Sequence, residues 1–300
     1  MAEVPPPLPA GCKGPLRSAL HRTARLLAAI LILGLMLRWF EHHQVYAPTR
    51  THDASPTGLG RPFEDLTLTT EDGLRIHGWY FPAEPDSARA RFVALVCHGN
   101  GGNISHRLPL AGALLDTGIA VLLFDYRGYG RSEGRPNEAG TYADARAAYR
   151  WLLARGHRPG HVLAVGESLG GAVAAHLAAH QPVGALILMG AFTSIPDIGS
   201  ELFPWLPVRW LARIRYDTRE SLGRVRVPVL ILHSRQDDLV RFHHAEANYA
   251  AAHPPKWLRE LRGSHNESLG DTDRIRAAVE ELLRHLESQE APAPPSDAGG

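Results

Sequence analysis

The chain has 300 residues, with 32 basic and 31 acidic side chains and a formal net charge of +1. This balance offers no electrostatic field for nucleic acid or for strongly acidic partners, so we expect no nucleic-acid binding. Cys97 is the single cysteine after the N-terminal segment, which excludes an internal disulfide in the rest of the chain. No group of cysteines or histidines has metal-ligand spacing in the sequence, which therefore predicts no metal and no cofactor.

The first 40 residues predict a membrane anchor. Residues 1–22 form a basic segment, and an uncharged apolar run of 12 residues follows from Leu26 to Leu37. This run is shorter than the roughly 20 residues that span a bilayer. Residues 23–40 are long enough for a thin or tilted span, because Arg25 and Arg38 can extend toward the headgroups. The upstream basic residues predict a cytoplasmic N-terminus, with the rest of the chain on the outer, periplasmic or extracellular side.

A cleaved signal peptide is the alternative for this segment, since basic residues before a short apolar run are typical of one. The plausible cleavage point, after Val45-Tyr46-Ala47, lies far beyond the apolar run. Its position favours a retained signal anchor, a single transmembrane helix.

The remaining chain predicts a linker at residues 41–60 and one domain at residues 61–288. Asp72-Gly73 is a strong hairpin signal between alternating segments near 63–69 and 74–81. From Arg91 onward, apolar strands alternate with helices, which is typical of a parallel sheet. Strands are predicted near 91–97, 119–124, 161–166, 184–190, 227–233 and 256–262, and helices near 104–117, 138–155, 168–180, 243–252 and 271–288. Residues 289–300, rich in Pro, Ala and Gly, predict a disordered tail.

A glycine-rich loop, His98-Gly99-Asn100-Gly101-Gly102-Asn103, follows the first of these strands. Its glycines allow the backbone to turn amide groups toward a ligand. Amide donors of this kind stabilise negative charge on an oxygen, and we expect the backbone N–H of Asn100 to be one of them. A plain glycine-rich turn is the alternative.

A charged loop at residues 125–132 lies after the next strand. For Asp125, Arg127 and Ser132 we expect a structural role, the satisfaction of backbone groups, over a chemical one. Asp144, on the helix that follows, is expected to be solvated.

The sequence Gly166-Glu167-Ser168-Leu169-Gly170 ends an apolar strand and is followed at once by a helix of small residues. This is the context of a nucleophile elbow, in which a serine on a strained turn projects its hydroxyl above the sheet. Ser168 is therefore the predicted nucleophile. The backbone N–H of the residue after it, Leu169, is the second predicted oxyanion donor.

An insertion at about residues 192–226 predicts a cap over the site. It contains Phe203, Trp205, Leu206 and Trp210 within eight residues of sequence. An apolar cap would line an acyl-binding pocket, because ligand sites are mostly apolar. The alternative is that these side chains pack on the sheet edge.

A serine hydroxyl is a poor nucleophile without an adjacent base. For a serine on a strand-to-helix turn of this kind, the acid and then the histidine typically follow the serine in the chain. Asp237 and Asp238 follow one predicted strand, and His265 follows the next. Because ligands bind at the carboxyl ends of parallel strands, the predicted triad is Ser168, Asp237 and His265, with Asp238 as an alternative acid.

The chain from about residue 61 to about residue 287 resembles the α/β-hydrolase superfamily. It is similar to the membrane-tethered branch of bem-like and ABHD-group serine hydrolases with a serine aminopeptidase-like domain. The similarity lies in residues 71–79, 98–105, 124–132, 166–171, 233–240 and 263–267. It implies an α/β class with the α/β-hydrolase fold, a mostly parallel central sheet with helices on both faces and a short cap insertion. The spacing of the family favours Asp237 over Asp238, and Ser234 and Ser264 depart from its usual residues without affecting the triad.

These features predict a serine hydrolase that cleaves an ester or thioester bond through an acyl-enzyme on Ser168. The expected partners are a small-molecule or lipid-like acyl substrate and, through the N-terminal helix, a membrane. A serine exopeptidase of the aminopeptidase type is one alternative. A catalytically silent membrane-tethered scaffold is another, although no member of the predicted triad is missing.

Overall fold

The computed structural model describes residues 14–290, with side chains from residue 19 onward. It divides into an N-terminal helix and a domain that begins at Tyr46. The predicted tail lies outside the described residues from residue 291 onward, and residues 289 and 290 end the last helix.

Helix α1 spans Gly14–Val45. Its segment Ala19–Val45 is long and apolar enough to cross a membrane, and an 18-residue stretch within it has a mean hydropathy of 1.7. The predicted anchor, residues 23–40, lies within this helix, which extends beyond it in both directions. Residues 41–45 of the predicted linker are therefore helical.

The domain is built on one large sheet. Its strands are β2 Glu64–Thr69, β3 Arg75–Phe81, β4 Val93–Cys97, β6 Ala120–Phe124, β7 Val162–Glu167, β8 Ala185–Met189, β9 Val229–Ser234 and β10 Lys256–Leu261. They lie in the order β10-β9-β8-β7-β4-β6-β3-β2. All neighbours are parallel except the pairs that β3 forms with β2 and with β6. The predicted hairpin and the predicted parallel strands are present, with ends shifted by one or two residues.

The burial of each strand follows its place in the sheet. Every residue of β4, β6, β7 and β8 is buried, because helices cover both faces of a parallel sheet. The edge strand β2 alternates between more and less buried residues. This difference explains why the central strands are continuous apolar runs in the sequence.

The helices of the domain are α2 Leu108–Leu115, α3 Glu138–Ala154, α4 Leu169–His180, α5 Ile195–Leu202, α6 Val208–Leu211, α7 Thr218–Leu222, α8 His243–Ala251 and α9 Thr272–Glu290. α2 packs against α9, while α3, α4 and α7 pack in succession as a second group. The predicted helix 104–117 is interrupted, because residues Ile104–Arg107 form a 3-10 turn before α2. The insertion between β8 and β9 holds α5, α6 and α7.

The segment predicted as a linker is part of the domain from Tyr46 onward. β1 Ala47–Pro48 pairs in parallel with β5 Gly101–Gly102 in the glycine-rich loop. Tyr46 and Pro56 are buried. The predicted boundary at residue 61 is therefore wrong, because main-chain pairing of a two-residue strand leaves no hydrophobic period to detect.

Candidate active site

Ser168 lies between β7 and α4 in a backbone conformation that side chains rarely adopt. Its φ is 51° and its ψ is −115°. Two main-chain hydrogen bonds hold the turn: Ser168 N donates to Met189 O at 2.8 Å, and Gly171 N donates to Ser168 O at 2.9 Å. Strain of this kind persists only where the surroundings determine it, and it is common at reacting groups.

Two glycines allow α4 to begin immediately above the strands. A Cβ atom on Gly166 would lie 2.3 Å from Gly170 O, and one on Gly170 would lie 2.0 Å from Cys97 O. Both distances are below any real carbon–oxygen contact, so a larger residue at either position would displace the helix. The glycines of the motif thus permit close approach of backbone to backbone.

The structure brings the three residues of the predicted triad together. Ser168 Oγ lies 3.1 Å from His265 Nε2, and His265 Nδ1 lies 2.7 Å from Asp237 Oδ2. All three residues are buried. Because a carboxylate only accepts, Nδ1 carries the proton and Nε2 presents its lone pair to the serine hydroxyl.

The adjacent carboxylates Asp237 and Asp238 bind different groups of His265. Asp237 reaches the imidazole, and its other oxygen accepts from the backbone N–H groups of Leu239 and Val240. Asp238 accepts from the backbone N–H of His265 at 3.0 Å. That backbone bond lowers the pKa of the Asp238 carboxyl. Asp238 therefore anchors the main chain of the histidine loop, and Asp237 orients the ring.

The two predicted oxyanion donors are free to donate. Neither the N–H of Asn100 nor that of Leu169 has a hydrogen-bond acceptor among residues 14–290. Leu169 is the first residue of α4, where N–H groups have no acceptor within the helix and carry the positive end of its dipole. An anionic oxygen near Ser168 would meet these groups without competition from a protein carbonyl.

The carbonyls of the glycine-rich loop are all engaged, which fixes the orientation of its amides. Each carbonyl from residue 98 to residue 102 accepts a hydrogen bond. The donors are Tyr126 Oη for His98 O, His98 Nδ1 for Gly99 O, Tyr129 Oη and Ala47 N for Asn100 O, Arg107 Nη1 for Gly101 O, and Thr49 N for Gly102 O. The carbonyl of Gly99 and the N–H of Asn100 share one planar peptide unit. The bond from His98 to Gly99 O at 2.7 Å therefore sets the direction of the Asn100 N–H.

His98 is suited to this contact because it is neutral. Burial lowers the pKa of His98 to about 4. Since a carbonyl only accepts, the proton of the neutral ring lies on Nδ1. The sequence placed His98 in the loop but did not identify it as the residue that positions the amide.

A buried ion pair joins the glycine-rich loop to the nucleophile strand. Arg107 Nε and Nη2 donate to the two oxygens of Glu167 at 2.8 and 2.7 Å, and Arg107 Nη1 donates to Gly101 O at 3.0 Å. Burial acts to raise the pKa of Glu167, but Arg107 outweighs it, and the net pKa is lowered. The sequence did not predict this pair, because the two residues are 60 positions apart.

The residues after α1 close the other side of the loop. Asn103 Nδ2 donates to Thr49 O at 3.0 Å and to Thr51 O at 2.6 Å. Ala47 and Thr49 donate to Asn100 O and Gly102 O, each at 3.1 Å. We call residues 46–53 the strap. Its main chain supplies part of the bonding that holds the candidate oxyanion donor.

The charged loop satisfies backbone groups. Asp125 accepts from Ile104 N at 3.0 Å, and Ser132 Oγ donates to Asp125 O at 2.7 Å. Arg127 pairs with Asp144 at 2.9 Å. Asp144 is fully buried, so the expectation that it is solvated is wrong: the partner that makes its burial possible lies 17 residues earlier.

Two groups of side chains among the described residues bring three metal-ligand atoms together. They are His52, His77 and Asp125, and Glu201, His243 and His244. In the first group His52 Nε2 lies 2.9 Å from Asp125 Oδ2, and in the second His243 Nε2 lies 2.8 Å from Glu201 Oε1. The three residues of the first group are far apart in the sequence, and in the second group only His243 and His244 are neighbours. The spacing of residues in the sequence therefore predicted neither group.

The four cap residues do not share one environment. Phe203 and Leu206 are half-buried. Trp205 and Trp210 are 75% and 91% exposed. A side chain with that exposure lies on the outer surface, so the predicted pocket lining is wrong for the two tryptophans in this structure. Composition revealed an apolar cap but not which of its faces each side chain occupies.

The sequence of this chain is similar to those of known proteins. A family model described as the alpha/beta hydrolase fold matches residues 94–217. The uncharacterized protein Rv2307c of Mycobacterium tuberculosis is 40% identical over 82% of this chain and 90% of its own length. Protein bem46 of Schizosaccharomyces pombe is 30% identical over 72% of this chain and 76% of its length.

The fold is also similar to solved structures. The esterase Pf2001 of Pyrococcus furiosus superimposes with a TM-score of 0.65 over 81% of this chain and 98% of that one, at 20% sequence identity. At this identity the likeness concerns the fold alone.

Proposed function

The chain belongs to the α/β-hydrolase superfamily and has bem46-like relatives, and we propose that it is a membrane-anchored serine hydrolase that cleaves an ester or thioester bond. The observation that carries the proposal is the continuous contact from Ser168 Oγ through His265 to Asp237, at 3.1 and 2.7 Å, on a strained turn.

The mechanism follows from these contacts. Ser168 Oγ attacks the acyl carbon while His265 Nε2 takes the hydroxyl proton. Asp237 stabilises the imidazolium that forms and keeps Nδ1 protonated. The negative charge on the acyl oxygen meets the N–H groups of Asn100 and Leu169, and one such donor contributes about 3–4 kcal/mol to the barrier reduction.

Collapse of the tetrahedral intermediate breaks the bond to the leaving group, which takes the proton from His265. The acyl group then remains on Ser168. A water molecule attacks it in the second half of the reaction, with His265 again accepting a proton and returning it to Ser168. Products are an alcohol or thiol and a carboxylic acid.

The apolar surface and the paired acids of the cap favour an acyl substrate over a peptide. Phe203 and Leu206 supply apolar surface that is half-buried before any ligand binds. An aminopeptidase needs free carboxylates for the substrate's amino group. In the cap, Asp197 pairs with Arg209 at 2.8 Å and Glu201 contacts His243 at 2.8 Å. These acids are already engaged.

For location, the proposal is that α1 is retained as a signal anchor. Arg22 and Arg25 precede its apolar run and favour a cytoplasmic N-terminus, with the hydrolase domain on the outer side. A reporter fused after Gly300 tests this directly: it should be active outside the cytoplasm. Release of a species that begins near Pro48 would establish a cleaved signal peptide instead.

The experiment that tests the activity is labelling with a fluorophosphonate, which reacts with activated serines. The full chain should incorporate one label per molecule. Ser168→Ala should abolish labelling and reduce kcat for p-nitrophenyl esters by about 10⁴-fold or more. Stoichiometric labelling that survives Ser168→Ala would disprove the assignment of the nucleophile.

A further inference from the structure

The cap carries large apolar side chains on its outer surface. Leu202 is 48% exposed, Trp205 75% and Trp210 91%. We call these three residues the cap tip. Soluble surfaces rarely carry several such side chains close together in sequence unless they contact a partner. The exposed tryptophans distinguish this segment from the rest of the domain, whose other tryptophans, Trp79, Trp151 and Trp257, are buried or half-buried.

The cap tip is held by its own hydrogen bonds. Leu206 N donates to Phe203 O at 2.9 Å, and Ala212 N donates to Val208 O at 2.8 Å. Arg209 pairs with Asp197 of α5 at 2.8 Å. The tryptophans are therefore presented by a folded segment, so their exposure does not come from an open loop.

Acidic and basic side chains both lie beside the cap tip: Glu201 directly precedes Leu202, and Asp197 pairs with Arg209. Residues 203–216 contain Arg209, Arg213 and Arg215 and no acidic residue. Arginine beside exposed tryptophan suits one environment in particular, the headgroup region of a bilayer. Tryptophan concentrates there because its ring is apolar and its N–H is polar, and basic side chains are attracted to anionic headgroups.

The cap also contacts the start of the domain. Tyr216 Oη lies 3.1 Å from Tyr46 Oη and 2.7 Å from Thr141 Oγ1. Tyr46 is bonded directly to Val45, the last residue of the apolar helix α1. The insertion that bears the cap tip is thus packed against Tyr46, the first residue of the domain.

We propose that the cap tip inserts into the headgroup region of a lipid bilayer, so that the domain is docked at two places, α1 and the cap. The inference rests on the proposed anchoring by α1 and adds a second contact that the helix alone does not require.

Spin-label accessibility in the full chain tests this docking. A nitroxide is attached to one of two variants, Trp205→Cys or Trp210→Cys, each in a Cys12→Ser background. Each labelled protein is placed in vesicles of phosphatidylcholine and phosphatidylglycerol. Arg158→Cys, an exposed site just before β7 and at the opposite end of that strand from Ser168, is the matched control. Cys97 will not take the label, because burial raises the pKa of its thiol to about 12. Fluorophosphonate labelling verifies that each variant is folded.

Oxygen concentrates in the bilayer, and a polar nickel complex stays in water. At Trp205→Cys and Trp210→Cys the ratio of oxygen to nickel accessibility should exceed that at Arg158→Cys by at least about threefold. Equal ratios at all three sites, in protein that stays in the vesicle pellet after a carbonate wash, would overturn the docking and leave the anchor intact. Loss of the protein from the pellet would overturn both. Spin–spin broadening that vanishes on dilution with unlabelled chain would instead assign the cap tip to a second copy.

Discussion

Arg107 donates two hydrogen bonds to Glu167, the residue directly before Ser168, and a third to Gly101 O. Both side chains are almost fully buried. One guanidinium thus connects the end of the nucleophile strand to the loop that carries the candidate oxyanion donor, so the two halves of the site hold a fixed separation.

Removing one partner should cost more than removing both. Arg107→Met leaves the Glu167 carboxylate buried without a partner, and we expect a loss of about 3–5 kcal/mol in the free energy of unfolding. Arg107→Met with Glu167→Leu should recover much of this loss, because no buried charge remains. Chemical denaturation measures both values. A double variant as unstable as Arg107→Met would show that packing of the guanidinium, and not charge, dominates.

The two adjacent aspartates should differ in their effect on catalysis. Asp237→Asn should lower kcat by about 10³- to 10⁴-fold with the fold intact, because His265 would adopt the wrong tautomer. Asp238→Asn keeps an oxygen that can accept from the backbone N–H of His265, and it should cost less than about tenfold. Ester hydrolysis at saturating substrate separates the two. The reverse order would transfer the orienting role to Asp238.

A substitution that weakens the hydrogen bonds of the strap should lower kcat more than it changes KM. Asn103→Asp removes the donor to Thr49 O and Thr51 O but keeps the oxygen that accepts from Ser105 N. We expect kcat to fall by about tenfold or more with KM little changed, because the Asn100 N–H loses its alignment.

Asn137→Asp provides the matched control, since it makes the same chemical change at the N-cap of α3, where the side-chain oxygen accepts from Gly140 N. It should change kcat by less than about twofold. Equal effects of the two substitutions would refute a specific role of the strap.

His98 should make the fold sensitive to mild acid. Its folded pKa, about 4, lies below the ordinary value of 6.5. Between these pH values the unfolded chain binds the proton more readily, so the stabilisation is complete above pH 6.5 and is lost as the pH falls toward about 4. The loss amounts to a free energy of unfolding on the order of 3 kcal/mol. His98→Asn, which cannot titrate, should show a shallower decline in unfolding experiments across this range; identical slopes would contradict the assignment.

The substrate class can be decided with esters of graded length. Each methylene buried in the transition state contributes up to about 0.8 kcal/mol, so kcat/KM should rise by roughly two- to fourfold per carbon from acetyl toward medium chains. Phe203→Ala should flatten this slope. A flat series, together with efficient cleavage of aminoacyl amides, would replace the acyl-hydrolase proposal with the exopeptidase.

The sequence determined the features that depend on local pattern. Continuous apolar runs predicted β4, β6, β7 and β8, because strands covered on both faces need apolar side chains at every position. The glycine–serine–glycine turn between strand and helix predicted Ser168, and strand ends predicted Asp237 and His265, because parallel strands deliver their following residues to one edge.

Only the tertiary structure decided the features that depend on pairs of distant residues. Arg107 with Glu167, Arg127 with Asp144 and the strap with the glycine-rich loop join segments whose spacing carries no period. For the same reason the sequence did not predict that Asp144 is buried or that Trp210 is exposed. A polar residue can be buried once a partner from elsewhere neutralises it, and an apolar residue can be exposed where the fold turns its helix outward.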